Sequence, residues 1–180
     1  MKNKLLISCV IIMLGILAFG TISASAATEG IYTYSVSGGE ATITDFSDSA
    51  SGDIAIPSTL GGYPVTSIGE SVFYNCTSLT SVNITDIAAW CNISFSDSYS
   101  NPLLYAKNLY LNGELVTDLV IPEGVTSIGK WAFYNCTSLT SVTIGNSVTS
   151  IGSDAFCDCS NLESVYINDI GAWCKFSFYD

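Results

Sequence analysis

The sequence predicts a β-rich (α+β) solenoid, in which stacked repeats with short parallel strands follow an N-terminal β-hairpin cap. The first observation is a ten-residue block, Phe73–Val82, which recurs letter for letter at Phe133–Val142 and in altered form at Phe156–Val165. The second is a constant offset of 23 residues between the last two copies, which also relates Ile128 to Ile151. Because one repeat buries only a thin apolar row, such units become stable when they stack.

The first 27 residues have the features of a secretory signal peptide. Lys2 and Lys4 form a basic start, Leu5–Gly20 is apolar, and Ser23–Ala27 supplies small residues for cleavage. The apolar run is shorter than the roughly 20 residues of a membrane span, which favours a signal peptide over a membrane anchor. We therefore expect residues 1–27 to be removed and the protein to be secreted or held at a bacterial cell surface.

A β-hairpin is predicted for residues 28–53, before the repeats. Tyr32, Tyr34 and Val36 alternate with polar residues, and a second alternating run begins at Ala41, beyond a Gly-Gly turn. This hairpin would cover the first repeat, whose apolar end would otherwise be exposed.

Repeats are predicted from residue 54 to residue 180. Within one unit, the β-branched residues 141–144 predict a short strand, and Gly129 marks a bend before a helical turn over Trp131–Asn135. A 37-residue insertion at about 85–118 separates the first copy from the second. The insertion begins with the segment Asp86–Cys91, which recurs as Asp169–Cys174 near the C-terminus. The residues that follow the first copy are not repeated after the second. We therefore expect a truncated chain whose last repeat has an unpaired edge, prone to fraying or association.

The charge of the chain limits its partners. The net charge of −11 becomes −13 once Lys2 and Lys4 leave with the signal peptide, because all 16 acidic residues lie downstream. Lys107, Lys130 and Lys175 are then the only basic side chains, and the sequence has no His. Such a chain cannot neutralise a phosphate backbone or an anionic membrane surface. We expect no nucleic acid partner and no membrane insertion after cleavage.

The cysteine positions favour buried thiols over disulfides. Cys76, Cys136 and Cys159 share one repeat position, and Cys91 shares another with Cys174. A residue at a fixed core position is usually a small buried apolar group. Neighbouring rows of a stack are nevertheless close enough for a disulfide between Cys136 and Cys159, and this alternative stays open. Without His or a second Cys pair, we expect no metal and no cofactor.

The repeat resembles the BspA-type leucine-rich repeat. Its pattern is Leu-x-x-Val-x-Ile followed by Val-x-x-Ile-Gly-x-x-Ala-Phe-x-x-Cys, from about residue 54 to residue 180. The Ala-Phe pair stands at Ala132-Phe133 and Ala155-Phe156. The resemblance implies a leucine-rich repeat stack in a secreted or surface-attached protein, often an adhesin towards host matrix proteins or other cells. It implies binding without catalysis, and it carries over no functional residue, since the shared positions are core.

Strand parity predicts the face that would contact an extracellular protein or a cell-surface ligand. If Val142 and Ile144 point inward, Ser141 and Thr143 point outward. The same reasoning on the other strands gives this candidate face: Ala55, Ser81, Asn83, Tyr110, Val120, Ser141, Thr143, Ser164 and Tyr166. Tyr, Ser and Asn side chains serve adaptable recognition surfaces. A merely solvated sheet face is the alternative.

A carbohydrate-binding module or a glycan-active enzyme is the alternative function. Asp86 and Asp169 each precede a Trp by four residues, and paired carboxylates can hydrolyse glycosidic bonds. Both recur at a turn, however, where Asp more often hydrogen-bonds its own backbone. The sequence therefore favours a non-catalytic module for protein or cell-surface adhesion.

Overall fold

The computed structural model describes residues 26–47, 50–168, 170–173 and 177–178. Most of the predicted signal peptide lies outside these residues, as do Asp169 and Cys174. The described strands are β1 (Ala27–Glu29), β2 (Tyr32–Ser37), β3 (Glu40–Phe46), β4 (Gly52–Ala55), β5 (Thr59–Leu60), β6 (Tyr63–Ile68), β7 (Leu79–Ile84), β8 (Ser94–Phe95), β9 (Leu109–Leu111), β10 (Glu114–Leu115), β11 (Asp118–Val120), β12 (Ser127–Ile128), β13 (Ser141–Ile144), β14 (Ser150–Ile151), β15 (Ser164–Ile167) and β16 (Ser177–Phe178). The described helices are α1 (Ile87–Cys91), α2 (Leu103–Ala106) and α3 (Ile170–Trp173), with a 3-10 helix at Ser98–Ser100. None of the helices in this part of the chain combines the length and apolar character needed to cross a membrane.

The N-terminal hairpin forms as predicted. β2 and β3 pair antiparallel, and Gly38 and Gly39 between them have φ angles of 61° and 85°. Residues with side chains rarely adopt this left-handed region, so the Gly-Gly pair allows the tight turn. β3 then pairs parallel with β6, placing Ala41 opposite Val65. The hairpin is therefore hydrogen-bonded into the stack as well as covering its first repeat.

A first ladder of parallel strands runs along one side of the stack. β4, β7 and β9 pair in that order, and β11, β13 and β15 form a second group. Within the second group Ser141 lies opposite Ser164, and Thr143 lies opposite Tyr166. This is the 23-residue register that the repeats predict. A second ladder pairs β6 with β8, and β12 with β14 and β16.

The core is a continuous apolar row between the two ladders. Phe73 and Phe133 are fully buried, and the ring of Phe133 stacks on that of Phe156 with centroids 5.2 Å apart. Each such buried side chain contributes roughly 1.5–3 kcal/mol. Val142 is 1% exposed, but Val165, at the same repeat position, is 48% exposed. No described strand pairs with β15 on the side away from β13, so the row is open there.

The predicted helical turn over Trp131–Asn135 is wrong. The segment forms successive turns instead, and Trp131 and Asn135 adopt the left-handed region with φ angles of 58° and 56°. This backbone points every second N–H group at the next repeat. The N–H groups of Trp131, Phe133 and Asn135 donate to the carbonyls of Ser153, Ala155 and Cys157. The turns of neighbouring repeats therefore stack through backbone hydrogen bonds.

The insertion is anchored to the repeats by buried polar side chains. The Trp90 indole N–H donates to the Ala132 carbonyl at 2.8 Å. Asn101, which has no exposed surface, donates to the Trp131 carbonyl at 2.6 Å and accepts from the Leu103 N–H at 2.9 Å. A buried polar group destabilises a fold unless it is paired, and these bonds pair both sides. The insertion is thus an integral layer of the stack.

Candidate binding face

The first ladder presents two outward rows, because alternate residues of a strand point to the same side. The nine residues that parity singled out all lie in these rows, and two acidic residues extend one of them. One row contains Asp53 and Ser81, then Asp118, Ser141 and Ser164. The other contains Ala55, Asn83 and Tyr110, then Val120, Thr143 and Tyr166.

Exposure differs strongly along the rows. Val120 is 61% exposed and Tyr166 57% exposed, whereas Ser81 is only 6% exposed. Ser81 is buried because Asp53 on the neighbouring strand covers it and accepts its hydroxyl at 2.7 Å. Hydrogen bonds from the Ser81 and Thr80 hydroxyls lower the pKa of Asp53 below its ordinary value. Ser81 therefore holds the Asp53 carboxylate in place. The expectation that Ser81 itself is exposed to a ligand was wrong.

Three residues of the face were missed by the sequence reasoning. Asp53 and Asp118 occupy outward positions in the first row, where each accepts a serine hydroxyl from the next strand. Leu115 lies opposite Tyr110 in the β9–β10 pair and is 45% exposed. The Asn-Gly dipeptide at residue 112 was the available signal, since it is the strongest short hairpin motif.

A groove opens where the two groups of the ladder meet. It has a volume of about 360 Å³ and lies between β10 and β11. Its lining residues are Ile87, Leu111, Glu114, Leu115, Val116, Thr117, Asp118, Leu119 and Val120. Clefts of 300–1,000 Å³ are typical ligand sites, so this groove has the capacity to hold part of a partner.

The first Asp-Trp pair of the glycan alternative, Asp86 and Trp90, is engaged in the fold. Asp86 caps α1, and its carboxylate accepts from the N–H groups of Ala88 and Ala89 at 2.7 and 3.1 Å. Trp90 is 1% exposed, which leaves its ring unavailable for stacking on a sugar. The expected turn role of Asp86 agrees with this geometry, whereas Asp169 lies outside the described residues.

The described cysteines at the repeat positions carry thiols. Cys91, Cys136 and Cys159 are buried, and burial raises the pKa of the Cys91 and Cys159 thiols to about 12. The Cys159 thiol donates to the Phe133 carbonyl at 3.1 Å, and no disulfide joins it to Cys136. Within the described ranges, no group of three or more His, Cys, Asp or Glu side chains could hold a metal ion.

Parallel ladders at a 23-residue register, with an apolar row between them, define a repeat solenoid. Residues 44–102 and 105–180 match the BspA type leucine rich repeat region in six copies, and the chain belongs to that family. Among curated proteins none matches the chain.

Solved structures share this fold. A leucine rich cell surface protein from Faecalibacterium prausnitzii is 21% identical with a TM-score of 0.51, over 85% of this chain and 42% of that one. The chain thus spans less than half the length of this relative. A leucine rich repeat protein of T. pallidum is 17% identical with a TM-score of 0.49, over 86% of each chain. At 21% identity the likeness to the Faecalibacterium prausnitzii protein extends to the fold alone. The family match identifies the chain as a leucine-rich repeat module.

Proposed function

We propose that the chain is a secreted or cell-surface module that mediates adhesion by binding a protein, without catalysis. In this proposal residues 1–27 are a signal peptide, residues 28–53 cap the stack, and residues 54–180 form the repeats. The ligand-binding surface is the outward face of the first ladder, including eight of the nine residues singled out by parity. Ser81 contributes through Asp53.

One observation carries the proposal: large apolar side chains are exposed on a face that also carries polar groups. Val120 and Tyr166 lie in one row, on either side of Thr143. Val120 and Tyr166 are both more than half exposed. Their hydration is unfavourable, and a partner that covers them gains roughly 25 cal/mol per Å² of apolar surface. Aromatic and apolar residues surrounded by polar neighbours are typical of protein interfaces.

Further observations support binding over chemistry. Asp86 is a helix cap and Trp90 is buried, which engages the first of the two Asp-Trp pairs on which a glycan-active site would have depended. The absence of His from the sequence also leaves a serine or cysteine nucleophile without its usual base.

An array of extracellular matrix proteins and glycans tests the proposal directly. We expect the secreted protein to bind a matrix protein, and Tyr166→Ser to weaken this binding about tenfold or more, in the range of an interface residue worth over 1 kcal/mol. Tyr74→Ser is the matched control, because Tyr74 is 56% exposed but lies in the turn between β6 and β7.

Equal effects of the two substitutions would show that the first ladder is not the binding surface. Binding to glycans alone would replace adhesion to protein with carbohydrate recognition. Hydrolysis of an arrayed glycan would overturn the non-catalytic part of the proposal.

A further inference from the structure

Two unpaired strand edges flank the groove between β10 and β11. β10 pairs with β9 alone, and β11 pairs with β13 alone, among the strands that the structure describes. The two strands are joined by Val116 and Thr117. The hairpin interrupts the ladder here, whereas the inner strands β7 and β13 have a neighbour on each side.

The free backbone groups on both edges point into this gap. Val116 N–H donates to the Leu109 carbonyl, so the groups of Leu115 point away from β9 by the alternation of a strand. Ser141 N–H donates to the Thr117 carbonyl, and Ile121 N–H donates to the Thr143 carbonyl. The groups of Asp118 and Val120, which alternate with these, therefore point away from β13.

The side chains around the gap combine apolar surface with negative charge. Leu115 and Val120 are 45% and 61% exposed, and Leu111 and Ile87 form further apolar lining. The carboxylates of Glu114 and Asp118 line the same groove, and both residues are exposed. Of the lysines that the structure describes, Lys107 and Lys130, neither lines the groove.

We propose that this groove binds an extended, cationic segment of a partner protein, which adds to the ladder as a strand. Leu115, Asp118 and Val120 point to the outward side of the sheet, and Glu114 points to the other side. The segment would therefore carry both Lys or Arg and apolar side chains. Added strands gain affinity from backbone hydrogen bonds and specificity from alternate side chains. This proposal rests on the proposed binding function and names the chemistry of its partner.

Charge complementarity decides between a foreign partner and a second copy of this chain. The mature chain has a net charge of −13, counted without Lys2 and Lys4, so two copies repel one another. Its three remaining lysines stand far apart in sequence, at 107, 130 and 175, and no segment alternates basic with apolar residues. A cationic segment of another protein is attracted instead, and the attraction weakens with added salt.

A short peptide of alternating Lys and Val is the probe. We expect fluorescence anisotropy to show saturable binding that weakens as salt increases. A peptide with Glu in place of Lys should bind about tenfold more weakly or not at all. The Lys-Val peptide methylated at alternate backbone nitrogens should bind about tenfold more weakly too, because it loses its strand hydrogen bonds.

Single substitutions in the chain locate the site at which the peptide binds. Val120→Ser, at an exposed position, should weaken binding about fivefold to tenfold. Val165→Ser is the matched control, since Val165 is 48% exposed in the same ladder but outside the groove, and it should leave binding unchanged. Thermal melting checks that both variants fold.

Amide hydrogen exchange gives an independent readout. Saturating Lys-Val peptide should protect the amides of Leu115 and Val120. The amide of Leu119 should change little, because it points towards β13, on the same side as the bonded groups of Thr117 and Ile121. Unchanged exchange at Leu115 and Val120, or equal affinity for the methylated peptide, would refute strand addition. Protection that rises with protein concentration and without peptide would assign the groove to a second copy instead.

The two proposals fail separately. Loss of matrix-protein binding in Tyr166→Ser together with no binding of the Lys-Val peptide leaves the adhesive face standing and removes the peptide groove. If the Lys-Val peptide binds and Val120→Ser weakens it, while Tyr166→Ser has no effect on the array, the peptide groove stands and the adhesive face is removed.

Discussion

Replacing one repeat glycine with alanine should destabilise the fold to different degrees in different repeats. Gly69, Gly129 and Gly152 follow the same Ile in three copies of the repeat. Each lies against the backbone of the previous layer, and the distance from an added Cβ atom to that backbone differs among the three positions. A Cβ at Gly69 would lie 3.3 Å from the nearest atom, the Ile43 carbonyl oxygen, and one at Gly129 would lie 2.8 Å from that of Ile93.

The contact at Gly152 is the tightest of the three. A Cβ there would lie 2.6 Å from the Cα of Lys130, with the Lys130 nitrogen also in contact. Backbone atoms cannot move aside as a flexible side chain can, so the two layers must separate. Overpacking costs about 1–3 kcal/mol. We therefore expect Gly152→Ala to lose about 3 kcal/mol or more and Gly129→Ala about 1–3 kcal/mol.

Gly69→Ala should change stability by less than about 1 kcal/mol. Its close contact is mild, and alanine restricts the unfolded chain, which stabilises by about 0.4–1 kcal/mol. Urea unfolding followed by circular dichroism measures all three variants under one set of conditions. The same loss in all three would refute the argument, because the effect would then come from the residue type and not from the spacing of the layers.

Three further predictions concern the core and the insertion. Asn101→Ala should lose about 2–5 kcal/mol in urea unfolding, because it leaves buried backbone groups unpaired, whereas the exposed Asn161→Ala should lose under about 1 kcal/mol. Phe133→Ala should lose about 3–5 kcal/mol, because its ring is fully buried against Phe156; a loss below 1 kcal/mol would contradict this packing. Burial raises the pKa of Cys91 from 9.0 to about 12, so its contribution to stability is full below pH 9 and is lost as the pH rises towards 12. Urea unfolding from pH 8 upward should show a shallower decline in Cys91→Ala; an unchanged slope would contradict this origin.

Sequence periodicity predicted the register of the ladder because strands of successive repeats pair at an offset of one repeat length. The 23-residue offset pairs Ser141 with Ser164, and parity puts Thr143 and Tyr166 on one side. Parity determines the side of a strand to which a residue points, but not what covers it. Ser81 is buried by Asp53, which is 28 residues away, and this contact depends on how two strands lie together.

The errors fall where stacking overrides local preference. The next repeat offers carbonyls in line with alternate N–H groups of the segment that begins at Trp131. The left-handed conformation of a bulky residue is unfavourable by about 1–2 kcal/mol. Three hydrogen bonds between layers offset that strain, and no single-repeat reasoning includes them.

The ladder of strands is interrupted between two copies of the repeated block, the first at Phe73–Val82. Identical blocks make identical layers, and identical layers pair their strand edges with one another. A regular stack therefore leaves its backbone unavailable except at its two ends. The 37-residue insertion ends in the β9–β10 hairpin, which turns one strand back and leaves two edges unpaired in the interior of the stack. Apolar surface, carboxylates and free backbone groups occur together where this irregularity lies. Strand addition, as proposed for this groove, should accordingly depend on residues 114–120, which lie in the insertion and not in the repeated block.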